Sequence, residues 1–145
     1  MIIGTESLKN KKYGEIILFF YIGVYPSSGE GKNIIIQKIY LEGLSPEKVE
    51  LLNKEDFYIE NEEILLLIES VKKVINEQLF QREKENRQII TRHTLTCNFE
   101  GSKIILNHKD DYEDILIVNL IFLSERLETA YIKDEKIYFC CYESS

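Results

Sequence analysis

Two histidines, three cysteines and one glycine-rich run are the residues of this 145-residue chain with the most chemical potential. His93 follows Arg92 on the apolar side of an alternating run. To act as a general base, or to cleave nucleic acid, it needs a second acid–base group beside it in space, so a structural histidine is the plainer reading. His108 stands beside Lys109 and ahead of Asp110, Asp111, Glu113 and Asp114. That set has cation-binding atoms, but it lacks the alternating oxygen ligands, the Gly and the distant Glu of an EF-hand, and it matches no zinc spacing. An exposed acidic loop is expected there. Gly29-Glu30-Gly31-Lys32 lacks the spacing of a phosphate-binding loop and leads into a strand pattern. Cys97, Cys140 and Cys141 form an odd set without CxxC spacing, and the adjacent pair points to opposite faces of a strand. They read as free thiols of a reducing cytoplasm. No residue sits in a nucleophile elbow, so no catalytic residue, metal site or cofactor is expected.

Charge is the more informative feature. The chain carries a net charge of −7 and a pI near 5.0, a field that repels nucleic acid and attracts basic partners. Glu55, Asp56, Glu60, Glu62 and Glu63 gather around Tyr58, and Asp110, Asp111, Glu113 and Asp114 gather around Tyr112. Tyrosines set among carboxylates suit a surface that meets a basic protein: charge steers the encounter and the ring supplies buried contact.

The element best defined by pattern is a helix over Asn61 to Arg87. Ile64, Ile68, Val71, Ile75 and Leu79 form a stripe, Leu65, Leu67, Val74 and Phe80 widen it, and Asn61 stands at the N-cap. Before it, Met1 to Tyr13 reads as a polar entry without the layout of a signal peptide. Strands are expected over Glu15–Tyr25 and Asn33–Glu42, joined as an antiparallel hairpin, then a one- or two-turn helix from Ser45-Pro46 and a short extended piece at Phe57-Tyr58-Ile59. After the helix, Ile89–Phe99 alternates cleanly and turns at Glu100-Gly101-Ser102 into Lys103–Asn107. Ile115–Leu123 reads as a strand apolar on both faces, and Thr129–Lys133 pairs with Lys136–Tyr142 in a last hairpin. The apolar runs Ile16–Tyr25 and Ile115–Leu123 are about half the ~20 residues a membrane span requires. The expected fold is one α+β domain over residues 1–145, in β-β-α-α-β-β-β-β-β order, with a mostly antiparallel curled sheet of about six strands packed against one long helix.

A small acidic domain with acid-aromatic loops and no catalytic motif resembles the immunity proteins of bacterial toxin–immunity pairs, including those of contact-dependent inhibition and polymorphic toxin systems. The resemblance implies a tight complex with a basic toxin domain, often a nuclease, whose active site is blocked by negative charge standing in for phosphates. Asp110, Asp111, Tyr112, Glu113 and Asp114 are the first expected contact patch; Glu60, Glu62, Glu63 and Tyr58 are the second. Two other readings compete: a ligand-binding or enzymatic domain with a pocket between helix and sheet, using His93 with Arg92 or Arg87, and a homo-oligomeric adaptor. No direct contact with nucleic acid or membrane is expected.

Overall fold

The run Ile115–Leu123, expected as a strand, lies inside a helix, and this changes the architecture. The computed structural model describes residues 1–6, 15–21, 31–37, 41, 43–52, 54–85, 94–107 and 111–142. The element order is β1 (Ile2–Glu6), β2 (Glu15–Tyr21), β3 (Gly31–Gln37), α1 (Pro46–Leu51), β4 (Phe57–Ile59), α2 (Glu62–Lys84), β5 (Thr94–Phe99), β6 (Ser102–Asn107), α3 (Tyr112–Ile132) and β7 (Ile137–Tyr142). The class is α+β. However, among the described residues the single sheet against one long helix is replaced by a five-stranded mixed sheet, ordered β3-β2-β1-β7-β4, a separate β5-β6 ribbon, and three helices.

Three corrections follow from local chemistry. The first concerns α3. Asp111 caps it by accepting from the amides of Glu113 and Asp114, and buried Asp114, Ile117, Val118, Ile121, Ser124 and Leu127 recur at helical spacing. A short run apolar all round has no period to separate strand from helix, and α3 is apolar all round because it packs on α2, β3 and both strands of the ribbon. The second concerns its end. Asp134, expected in a hairpin turn, takes a left-handed φ of 56°, while Glu135 N bonds Ala130 O and Asp134 N bonds Tyr131 O. This is the Schellman stop of a helix, so Thr129–Ile132 is helical and β7 has no hairpin partner there. The third is β1, expected as a polar entry. Its Ile-Ile-Gly-Thr stretch lies in mid-sheet, parallel to β7 with Ile3 opposite Phe139, and antiparallel to β2 with Gly4 opposite Phe19. Lys9, Lys11 and Lys12 fall outside the described residues.

The other expected elements are present with altered bounds: β3 starts at Gly31, before the expected Asn33, and Leu41 lies outside it, while α2 ends at Lys84. β2 and β3 pair antiparallel, Ile17 opposite Ile35. Ser45 caps α1, its hydroxyl accepting from Lys48 N. On α2, Ile64, Leu67, Ile68, Val71, Val74 and Ile75 are buried, whereas Phe80 is exposed and does not widen the stripe. Asn61 precedes the helix with φ 52° and its side chain makes no capping bond; only its carbonyl serves, accepting from Ile64 N and Leu65 N. Glu100 and Gly101 both have positive φ, 49° and 82°, the pair a type I′ turn requires, and they join β5 to β6.

Burial alternates along β5, with Cys97 and Phe99 inside and Thr94, Thr96 and Asn98 outside. One buried cluster joins Ile3, Ile59, Ile137 and Phe139 of the sheet to both long helices and to Cys97, Phe99 and Leu106 of the ribbon. Among the described residues no helix is long and apolar enough to cross a membrane.

Candidate partner-binding surface

The carboxylates around Tyr112 are mostly engaged by the fold. Asp114 is 1% exposed; it accepts from Arg82 Nε at 2.9 Å and Nη2 at 3.4 Å, and from the buried amide of Asn107 at 3.0 Å. Arg82 also donates to Ile105 O at 2.8 Å. This knot ties the end of α2 to the start of α3 and to β6, and it withdraws Asp114 from any surface contact. Asp111 is held as the α3 cap. Tyr112, 69% exposed, and Glu113 remain at the surface; Asp110 lies outside the described residues.

The two acidic clusters lie at opposite ends of α2. Arg82 meets Asp114, and Lys72 meets Glu128 at 2.6 Å, so α2 and α3 run antiparallel. Glu62 therefore sits at the opposite end of α2 from the Tyr112 region, about 30 Å away at 1.5 Å per residue.

At the Glu62 end, the pleat of the sheet builds a surface. Register places Ile2 opposite Tyr138 and Tyr138 opposite Tyr58, across β1, β7 and β4. Their neighbours Ile3, Phe139, Ile137 and Ile59 are buried on the helix side, so these three turn to the open side, at 53%, 45% and 44% exposure. The two tyrosine rings stand 6.0 Å apart, and Lys136 Nζ lies 4.6 Å from the centroid of the Tyr58 ring. Glu62 and Asp56 are exposed close by in the chain, and Glu60 is half-buried. Glu63 is engaged: Lys48 Nζ bonds its carboxylate at 2.5 Å and Tyr58 O at 3.0 Å, fastening α1 to the start of α2. Asp56 accepts from Cys141 N at 2.9 Å.

Tyr138, Ile2 and Lys136 were absent from the sequence-level patches. The alternation Ile137-Tyr138-Phe139 carried a signal for Tyr138; nothing local marked Ile2, whose exposure depends on pairing with a strand at the other end of the chain.

Other candidates fare differently. His93, Arg92, Arg87 and His108 lie outside the described residues. An open groove of about 760 Å³ is lined by Lys73, Glu77 and Phe80 of α2 and by Glu100 of the β5–β6 turn. Burial, with Glu125 adding repulsion, pushes the Cys97 thiol up; burial, then Asp56 and Cys141, do the same to Cys140. Both favour the thiol over the nucleophilic thiolate. Burial and then Glu128 raise the Glu125 carboxyl. Among the described residues no group of three or more His, Cys, Asp and Glu is placed to hold a metal ion. No protein-family model, curated protein or solved structure matches the chain.

Proposed function

We propose that this chain is an immunity-type binding protein that neutralises a basic toxin domain, such as a nuclease, by forming a tight complex with it in the cytoplasm. The observation that carries this reading is the open row of Tyr58, Tyr138 and Ile2 beside Glu60 and Glu62. Tyrosines in an exposed apolar row supply anchor contacts, and the adjacent carboxylates steer a cationic partner. The Tyr58 ring already receives one cation, Lys136, so it is placed to receive a lysine or arginine of the partner in its stead. The net charge of −7 extends the attraction beyond contact, and three free cysteines suit a reducing compartment. In this reading the protein acts by occlusion and performs no catalysis.

Tagged protein is used to capture basic proteins from the source cells, and a captured domain is then tested for toxicity with and without this chain. Binding is titrated for Tyr58→Ala, Tyr138→Ala and Glu62→Lys. Each tyrosine truncation is expected to weaken affinity at least tenfold, a loss of about 1.4 kcal/mol or more. Glu62→Lys is expected to slow association, most strongly at low salt. A toxin that is neutralised equally well by the double tyrosine variant overturns this surface; failure of any basic domain to be neutralised overturns the function.

A further inference from the structure

The two edges of the β5–β6 ribbon differ. Along β6, Ile105 O accepts from Arg82 and Asn107 N donates to Asp114, so both groups point away from β5. Residues facing each other in an antiparallel ladder share its phase. Thr96 faces Ile105 and Thr94 faces Asn107, so the amides and carbonyls of Thr94 and Thr96 point away from β6, as do those of Asn98 two residues on. Among the described residues these outward groups have no hydrogen-bond partner. Edge strands are ordinarily guarded by charge, proline or a bulge. Thr94-Leu95-Thr96-Cys97-Asn98-Phe99 contains no charge and no proline, and it pairs with β6 without a bulge.

We propose that β5 is the pairing edge of a symmetric dimer, in which β5 of a second copy adds antiparallel to make one continuous sheet in the order β6-β5-β5-β6. A two-fold axis at Thr96 sets it against Thr96 of the second copy, and Thr94 against Asn98 of the second copy. Threonine pairs well with itself across strands, and the apolar underside formed by Leu95, Cys97 and Phe99 is continued from one copy to the next. The charge pattern selects the occupant. β5 has no carboxylate to draw a basic strand, while its neutral row faces itself without opposing like charges, although each copy carries −7 overall. Closure follows from the other edge: Arg82 and Asp114 occupy β6, so addition stops at two copies instead of running into a fibre. This interface uses none of the residues of the Tyr58–Tyr138 row and stands or falls independently of the toxin-binding reading.

The test is light scattering of the full chain across a concentration series, with amide hydrogen exchange resolved by residue. A species of twice the 17.1 kDa chain mass is expected, unchanged or strengthened by added salt because the two copies carry the same sign. The amides of Thr94, Thr96 and Asn98 are expected to exchange more slowly as the dimer forms. Thr96→Lys, at an exposed side chain, places two ammonium groups across the axis and is expected to weaken the dimer roughly fivefold or more while circular dichroism stays unchanged. Thr96→Val keeps the dimer. A monomer at every concentration overturns the proposal, as does a dimer indifferent to Thr96→Lys or one whose Thr96 amide exchanges as fast as in the monomer. The exchange measurement on unaltered protein decides the matter even if the lysine variant fails to fold.

Discussion

Replacing Asp114 should weaken the whole fold, and the expected size can be worked from its contacts. Its carboxylate is 1% exposed, and among the described residues it accepts two hydrogen bonds from Arg82 and one from Asn107 N. Asp114→Ala removes the acceptor of the buried Asn107 amide, and losing a buried hydrogen bond of this kind costs about 1–3 kcal/mol. It also leaves the guanidinium without its counter-charge. Breaking a fully buried pair costs about 3–5 kcal/mol, but the Arg82 side chain is 16% exposed and keeps Ile105 O, so this part falls well short of that range. The combined loss is expected to be about 3–4 kcal/mol, a large share of the 5–15 kcal/mol typical of a domain.

Arg82→Met should cost at least as much, because it strands the more deeply buried partner. Arg82→Met with Asp114→Ala should cost less than the sum of the two single losses, giving a coupling of roughly 1–3 kcal/mol in the cycle. Urea unfolding reads all four proteins through the midpoint at constant slope. An Asp114→Ala loss below about 1 kcal/mol, or additive behaviour in the cycle, would refute the view that this knot holds α2, β6 and α3 together. The result also bears on function: charge reversal at Asp114 damages the fold, so a partner affinity lost in such a variant does not locate a contact patch.

Three further outcomes are expected. Thr5 Oγ1 is buried among the described residues without a hydrogen-bond partner, so Thr5→Val, which keeps the shape, should raise stability by about 1 kcal/mol, read as a higher melting temperature. Gly43 lies against α2 so closely that an added Cβ would fall 2.2 Å from Leu66 O and 2.7 Å from Leu67 Cα; both are backbone atoms of a helix and do not yield, so Gly43→Ala should cost about 1–3 kcal/mol or more in urea unfolding. The Glu125 carboxyl is raised above its ordinary value of 4.5 by burial and then by Glu128, so the folded state holds this proton more tightly than the unfolded chain does. Its contribution is complete below the unfolded value and is lost as pH climbs through the raised folded value, so Glu125→Gln should flatten the decline in stability above pH 4.5 and leave the protein more stable at neutral pH.

What the sequence discloses about this protein depends on whether the cause of a structure is local. α2 and the β5–β6 ribbon are legible because their periods, 3.6 and 2, survive in the residue pattern and their ends carry local turn chemistry. α3 hides because it is packed on several sides, and burial all round erases the period that would identify it. β1 hides because its main parallel partner, β7, lies about the full chain length away. The same distinction governs the candidate site. Counting carboxylates marks two clusters as equal, but a carboxylate that caps a helix or meets a buried arginine does the fold's work: Asp111 and Asp114 start α3 and lock it to α2. Their spacing at the head of an apolar run is itself a capping signal, so the acidity of that segment is explained by its helix. At the other end of α2, Glu60 and Glu62 follow closely in the chain on Tyr58, which pleat geometry turns outward together with Tyr138. Among the described residues those rings meet each other and Lys136 yet stay nearly half exposed beside Ile2. That exposure, more than the net charge, directs the search for a partner to Tyr58 and Tyr138.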